Sequence, residues 1–424
     1  MSGFVRIALA AVLAVVLLGL GLLWLAGRGT FGHHDGPGEV TRATRPAQEV
    51  AREQAAQTRA AASLGIARPK QVLFGDLHVH TTISYDAFLF SLPILRGEGA
   101  HPPADACDFA RFCSALDFWS INDHDFGITP EAWRDTIDSI RACNDVAGEG
   151  ASPDTVAFLG WEWTQVGSTP DNHYGHKNVV LAHTDDARIP ARPIGALRGG
   201  ELSGDTNTLG LGYVALRGGD RMHDLARYMQ ERASVPVCDP DVPSPELPAD
   251  CYEQATTPEE LFRRLNEWGH DALVIPHGTT WGFYTPPGSR WDKQLAGAMH
   301  DPARQTLLEI YSGHGDSEVW RDWQEVTFDA EGKAHCPAPR PGYEPTCWRA
   351  GEIIRARCLA EGEDPAECES RAVEARANAA NAGVSAHRTV PGATGADFLD
   401  AGQCRDCRTP AFNYRPGGSA QYVL

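Results

Sequence analysis

Seven residues far apart in the chain have the side chains of metal ligands. His78 and His80 form an H-x-H, Asp86 follows closely, His124 lies in N-D-H-D at 122–125, Glu162 lies in G-W-E-W, His176 precedes one apolar run, and His277 closes another in I-P-H-G. On a strand the H-x-H spacing puts both imidazoles on one face, where they can reach one ion. A carboxylate such as Glu162 has two oxygens and can bridge two ions. Taken singly, each histidine reads as a satisfied polar residue; taken together, histidines and acids at five successive strand ends read as a bound metal cluster. Mixed nitrogen and oxygen donors suit zinc, manganese or iron better than calcium. Such ions bring the pKa of bound water from about 15.7 toward about 7, giving hydroxide at neutral pH, and hold phosphoryl oxygens during in-line attack. Ser84 and Cys113 lack the elbow or His/Asp partner pattern of a covalent nucleophile.

The elements that must position these residues follow from the alternation of short apolar runs with amphipathic stretches, the pattern of parallel strands with crossover helices. Strands are expected at 72–78, 116–122, 156–163, 178–183, 272–277 and 306–312, and helices at Asp105 to Ala115, Pro130 to Cys143 and Pro258 to Trp268, the last with Thr257 as N-cap. The candidate ligands fall at the carboxyl ends of the strands, where α/β folds build their sites. Residues 186–256 read as a long insertion rich in Gly and Pro, with one convincing helical patch at Met222 to Ala233, and serve as a lid, a binding surface or plain decoration.

Residues 1–28 contain about 20 uncharged residues from Ile7 to Ala26, long enough to cross a hydrocarbon core, so they read as a membrane anchor, with a cleaved signal peptide as the competing reading. Residues 29–68 read as a flexible Gly/His-rich connection, in which His33 and His34 are solvated, and a helical stalk; 69–424 hold the hydrolase domain. The chain carries 56 acidic against 37 basic residues, a net charge of -19, which argues against nucleic acid as a bulk partner and leaves a small anionic substrate drawn by the ions themselves. Eleven cysteines fit an oxidising compartment, with Cys238/Cys251, Cys336/Cys347 and Cys358/Cys368 as candidate disulfides. Cys404 and Cys407 form a lone C-x-x-C. These features place the domain on the periplasmic side of an inner membrane, or export it, with secretion after signal cleavage as the alternative.

The motifs F-G-D-L-H-V-H-T-T-I-S-Y-D-A, S-I-N-D-H-D, G-W-E-W and V-I-P-H-G resemble the successive motifs of the PHP (polymerase and histidinol phosphatase) superfamily. From about Gln71 onward, including E-I-Y-S-G-H-G-D-S-E and A-F-N-Y-R-P-G-G-S-A-Q-Y, the chain is similar to the PHP-like family known as domain of unknown function 3604. The resemblance implies a distorted PHP-type (β/α) barrel and a phosphoesterase whose catalysis runs through metal held by His78, His80, Glu162 and His277. It implies His78 and His80 on a first ion with Glu162 bridging, Asp86 and His124 on a second, and His176 and His277 with Glu162 on a third, with His173 as an alternative to His176. Asp76, Asp123 and Asp125 would orient the imidazoles or serve turns. The family's late Asp-x-His is not found after His277, the nearest match being His314 with Asp316 in reversed order, so the barrel is expected to be incomplete.

For substrate, Trp281 and Arg290 in the loop after His277 would face the pocket mouth, with Tyr284 between them, or else pack in the core with Arg290 solvated. Lys177 reads as a phosphate contact or a surface charge. Two other functions stay open: an amidohydrolase-like C–N or C–O hydrolase, whose barrels also begin with H-x-H, and a truncated barrel that binds metal without turnover.

Overall fold

The computed structural model describes residues 3–66, 72–92, 101–147, 153–197, 207–282, 284–286, 288–312, 315–316, 325–329, 333–402 and 417–418. His314, Cys404 and Cys407 lie outside them. The chain divides into two compact units, the first comprising residues 1–165, 177–274 and 301–306, the second 166–176, 275–300 and 307–424.

The first unit begins with α1, Gly3–Gly27, an apolar helix long enough to cross a membrane and exposed along its apolar window. The Gly/His-rich stretch that follows is held to the domain rather than left loose: the His33 N–H donates to Asp224 at 2.7 Å, Arg221 pairs with Asp35 at 2.8 Å, and the Arg45 N–H donates to Asp154 at 2.6 Å. The expected stalk is α2, Ala47–Ser63, with no buried residue.

Then come β1 (Gly75–Val79), α3 (Tyr85–Phe90), α4 (Pro103–Asp108), β2 (Phe118–Ile121) and α5 (Pro130–Asp145). The helix expected from Asp105 to Ala115 is divided, α4 giving way to a wider π-type turn over Phe109–Cys113. The run 156–163 makes two strands, β3 (Val156–Phe158) and β4 (Gly160–Trp163), which part at Leu159. β3 closes a parallel sheet of order β1-β2-β3, and β4 opens a second sheet of order β4-β5-β8, with β5 at His176–Leu181 and β8 at Ala272–His277. β4 and β5 pair antiparallel, Glu162 opposite Asn178, which departs from the all-parallel expectation. The two sheets are stitched where Glu162 bridges His124 in parallel fashion. Trp119, Trp161 and Trp163 are fully buried beneath these strands. No closed barrel is seen among the described residues; the fold is a mixed α/β architecture.

The insertion holds β6 (Ile194–Gly195), paired with β7 (Glu253–Gln254), and two helices where one was expected: α6 (Thr208–Gly218) and α7 (Asp220–Ser234). It is tied down by a buried charge cluster. Glu253, with no exposed side-chain surface, faces Arg192 Nε at 2.9 Å and Arg264 Nε at 3.7 Å, and Arg264 also meets Glu267 at 3.4 Å. Arg264 lies on α8, Pro258–Trp268, which matches the sequence reading: Thr257 Oγ1 accepts the Glu260 N–H, and Gly269 ends the helix in the left-handed region at φ 70°. Disulfides join Cys107 to Cys143 and Cys238 to Cys251.

In the second unit the strand expected at 306–312 shrinks to β9, Tyr311–Ser312, which pairs with β10, Gly315–Asp316. A second small hairpin joins β11 (Thr327–Phe328) to β12 (Ala334–His335). The helices α9 (Thr346–Ala360) and α10 (Pro365–Asn381) bury an alanine-rich core around Ala350, Ile353, Ala379 and Phe398. Short-loop disulfides Cys336–Cys347 and Cys358–Cys368 staple it. All three disulfides expected from sequence are present; Cys107–Cys143 was not foreseen, because 36 residues separate its halves.

Candidate metal centre

In the first unit, neighbouring strands bring β1, β2 and β4 to one rim, and parallel pairing makes their carboxyl ends coincide. His78 and His80 close β1, His124 follows β2, and Glu162 stands in β4. The Glu162 side chain is only 1% exposed, and its Oε2 lies 2.9 Å from His124 Nδ1, 3.3 Å from His80 Nε2 and 3.7 Å from His78 Nε2. The rings crowd together, centroids 5.0 Å apart for His78 and His80 and 4.6 Å for His80 and His124. Asp86, in the first turn of α3, reaches His124 Nε2 at 3.4 Å. His78, His80 and Glu162 each present a ligand atom within 4.8 Å of the others. Mixed imidazole and carboxylate donors at this spacing suit a divalent transition ion.

Hydroxyl groups fix the imidazoles. Ser84 Oγ lies 2.7 Å from His80 Nδ1, accepts the His124 N–H at 3.0 Å and donates to Asp123 at 2.8 Å. Asp123 also accepts the Thr81 N–H and hydroxyl. It therefore supports His80 through Ser84, an outer-shell arrangement of the kind that sets ring orientation in metal sites. Thr164 Oγ1 lies 2.8 Å from His124 Nδ1. Sequence reading weighed Ser84 only as a nucleophile and passed over Thr164; the signal was available in the alternation of β4, which puts residues 162 and 164 on one face. Asp76 accepts the backbone N–H of His78 at 2.9 Å, a turn contact. Asp125 accepts N–H groups from Phe126 and Ala196 and so ties the rim to the insertion.

The electrostatics split the imidazoles. Burial, reinforced by His124 and His78, holds His80 well below its ordinary pKa despite the pull of Glu162. Burial also pulls on His124, but Glu162 and Asp86 outweigh it and hold His124 well above. Burial opposes ionisation of Asp86, yet the His124 hydrogen bond and charge bring it to about 2. Asp125 is pushed up to about 7 by burial.

Lys177, also in this unit, is fully buried with its ammonium 5.3 Å from the Trp163 ring, so it is not the surface charge weighed from sequence.

The other candidates belong to the second unit. His176 and His277 are buried with ring centroids 5.4 Å apart, and Tyr284 stacks on His176 at 4.3 Å. Gly175 permits this: its φ is 68°, and a Cβ there would meet the His277 carbonyl oxygen at 2.7 Å. His173 has both ring nitrogens on the backbone, Nδ1 accepting from Gly167 N–H at 3.2 Å and Nε2 facing the Gly278 carbonyl at 3.1 Å, which fits a neutral structural imidazole and favours His176 of the two. Trp281 is fully buried, as in the core reading, and Arg290 pairs with Asp292 at 2.7 Å near the surface. Of the seven expected ligands, the structure thus gathers His78, His80, Asp86, His124 and Glu162 in one unit and sets His176 beside His277 in the other.

Compared with protein-family models, curated proteins and solved structures, the chain finds no match.

Proposed function

We propose that the chain is a metal-dependent hydrolase of phosphate esters, built on a PHP-type (β/α) barrel and held on the outer side of a membrane by α1. The observation that carries this reading is the convergence of three imidazoles from two strand ends on one oxygen of the buried Glu162. Two carboxylates, Glu162 and Asp86, present their oxygens to that pocket beside the imidazole nitrogens, a donor set that suits a divalent ion. Two or three zinc, manganese or iron ions are the fitting cofactors.

When bound, such ions supply Lewis acidity and a water that ionises near neutral pH. The chain's own residues set the geometry. Ser84 holds Nδ1 of His80, so its Nε2 is the nitrogen turned to Glu162. Thr164 and Asp86 hold the two nitrogens of His124 from opposite sides. The disulfides support an oxidising, exported location, and the apolar length of α1 supports retention at a membrane. A small anionic ester fits the acidic chain better than nucleic acid.

The test is to load the full chain with manganese or zinc, count ions by elemental analysis, and assay a phosphodiester, a phosphomonoester and an amide panel side by side. Ester turnover with two or more ions per chain, lost in Glu162→Gln, is the expected result. Amide turnover would favour the amidohydrolase-like alternative. Fewer than two ions and no turnover would favour the inactive barrel.

A further inference from the structure

At the foot of α1 the chain places a second apolar helix. The two lie backbone to backbone: a Cβ on Gly27 would stand 1.7 Å from the Thr208 carbonyl oxygen, and one on Gly212 would stand 1.8 Å from that of Leu23. Because Gly27 faces Thr208 while Leu23 faces Gly212, α6 runs antiparallel to the last two turns of α1. Ala26, Ala215 and Ala226 close the seam and add α7 to it. This explains Gly212, a residue that otherwise opposes helix formation in the middle of a helix of 11 residues.

The side of α6 away from the seam carries Leu209, Tyr213, Val214 and Leu216, between 39% and 57% exposed. Trp24 on α1 is 52% exposed. Each exposed aromatic is followed four residues later by an arginine that returns over its ring, Arg28 over Trp24 and Arg217 over Tyr213, both at 5.8 Å. Trp and Tyr backed by arginine at the end of an apolar span are the residues of a membrane–water interface, where the ring sits at headgroup depth and the guanidinium reaches phosphate. The exposed apolar residues of α6 thus stand on a helix packed against the foot of α1, and Arg217 carries the sign of charge that lipid phosphates attract.

We propose that α6 lies in the headgroup and upper acyl region of the bilayer that α1 crosses, with Leu209, Tyr213, Val214 and Leu216 against lipid, so that the insertion docks the first unit on the membrane surface. This rests on α1 being a retained anchor. The experiment uses the full chain in vesicles of phosphatidylethanolamine and phosphatidylglycerol, carrying a nitroxide at Val214→Cys with Cys113, Cys404 and Cys407 changed to serine. The expected result is a shift of collision accessibility from a water-soluble nickel chelate to oxygen. If the nickel chelate dominates while α1 is intact and the protein resists alkaline extraction, the docking is wrong and the anchor stands. If mass analysis of the mature chain lacks α1, both fail. Strong dipolar broadening between labels would mean that a second copy covers this face instead of lipid, and would also overturn the proposal.

Discussion

Two buried carboxylates in the first unit have opposite partners. Glu253 faces two guanidiniums, Arg192 and Arg264, whose charge is permanent, and Glu267 balances the second of them. Glu162 faces three imidazoles, of which burial holds His80 well below its ordinary pKa while Glu162 and Asp86 hold His124 well above. The Glu253 cluster is closed by the chain itself: Arg192 and Arg264 meet Glu253 and Glu267, and Arg263 adds a further cation on Glu267. The Glu162 cluster instead brings imidazole nitrogens and carboxylate oxygens to one point, the donor set of a divalent ion. A burial that looks alike by exposure thus serves structure in one place and, in the proposed reading, ligation in the other, and the identity of the basic partner separates them.

The largest expected effect is at Glu162. Replacing it with Gln keeps the shape and removes the charge, so the chain should lose at least one bound ion, and hydrolysis should fall by on the order of a thousandfold, since metal stabilisation of developing charge contributes several kcal/mol. Elemental analysis and turnover check it; full ion content in the variant would break the comparison. Glu253→Ala should do the reverse. It leaves the buried Arg192 without its carboxylate and Arg264 with Glu267 alone, at a cost of about 3–5 kcal/mol. Amides of α8, which carries Arg264, should then exchange hydrogen faster by two orders of magnitude or more in the metal-free chain as well. Unchanged exchange would mean that the cluster is not what secures the insertion.

A smaller effect sharpens the contrast within the rim. Ser84→Ala removes the hydroxyl that joins His80 to Asp123 without touching a ligand atom, and orienting groups of this kind are worth about 10–100-fold in metal affinity. Calorimetric titration with zinc should show that weakening, and Ser84→Thr, which keeps a hydroxyl, should restore part of it. A loss shared equally by both variants would point to packing instead.

How much of this was legible beforehand depends on the range of the interaction. The convergence of His78, His80, His124 and Glu162 could be read because H-x-H, N-D-H-D and G-W-E-W put these side chains at strand ends, and strand ends are set by short apolar runs. The break at Leu159 and the antiparallel β4–β5 pairing could not, since G-W-E-W reads the same in either direction of pairing. Ser84 and Thr164 were obscured because a hydroxyl has many uses and only three-dimensional neighbours select one. Helix α6 was missed for a related reason: Gly212 at its middle argues against a helix until the partner that needs it, α1, is in place. Short-loop cysteine pairs were readable, whereas Cys107–Cys143 required the packing of α4 on α5 to be known first.

The smallest effect tests how much a helix cap contributes, one read from the sequence and one not. Thr257 caps α8 by accepting the Glu260 N–H at 3.3 Å, and Asp364 caps α10 by accepting the Ala366 N–H at 2.8 Å. Removing either side chain should cost about 1 kcal/mol. The helices differ in what remains: α8 still buries Leu261, Phe262 and Leu265, whereas α10 buries little beyond Ala372, Ala379, Ala380 and Cys368, bonded to Cys358. Fraying after Thr257→Ala should therefore stop at the first turn, where apolar contacts begin. Fraying after Asp364→Ala should run further into α10 once Cys358–Cys368 is reduced, because neither a large apolar face nor a crosslink then opposes it. Residue-resolved hydrogen exchange reads the difference directly, and equal fraying in the two helices would show that the cap, not the buried face, sets where each helix begins.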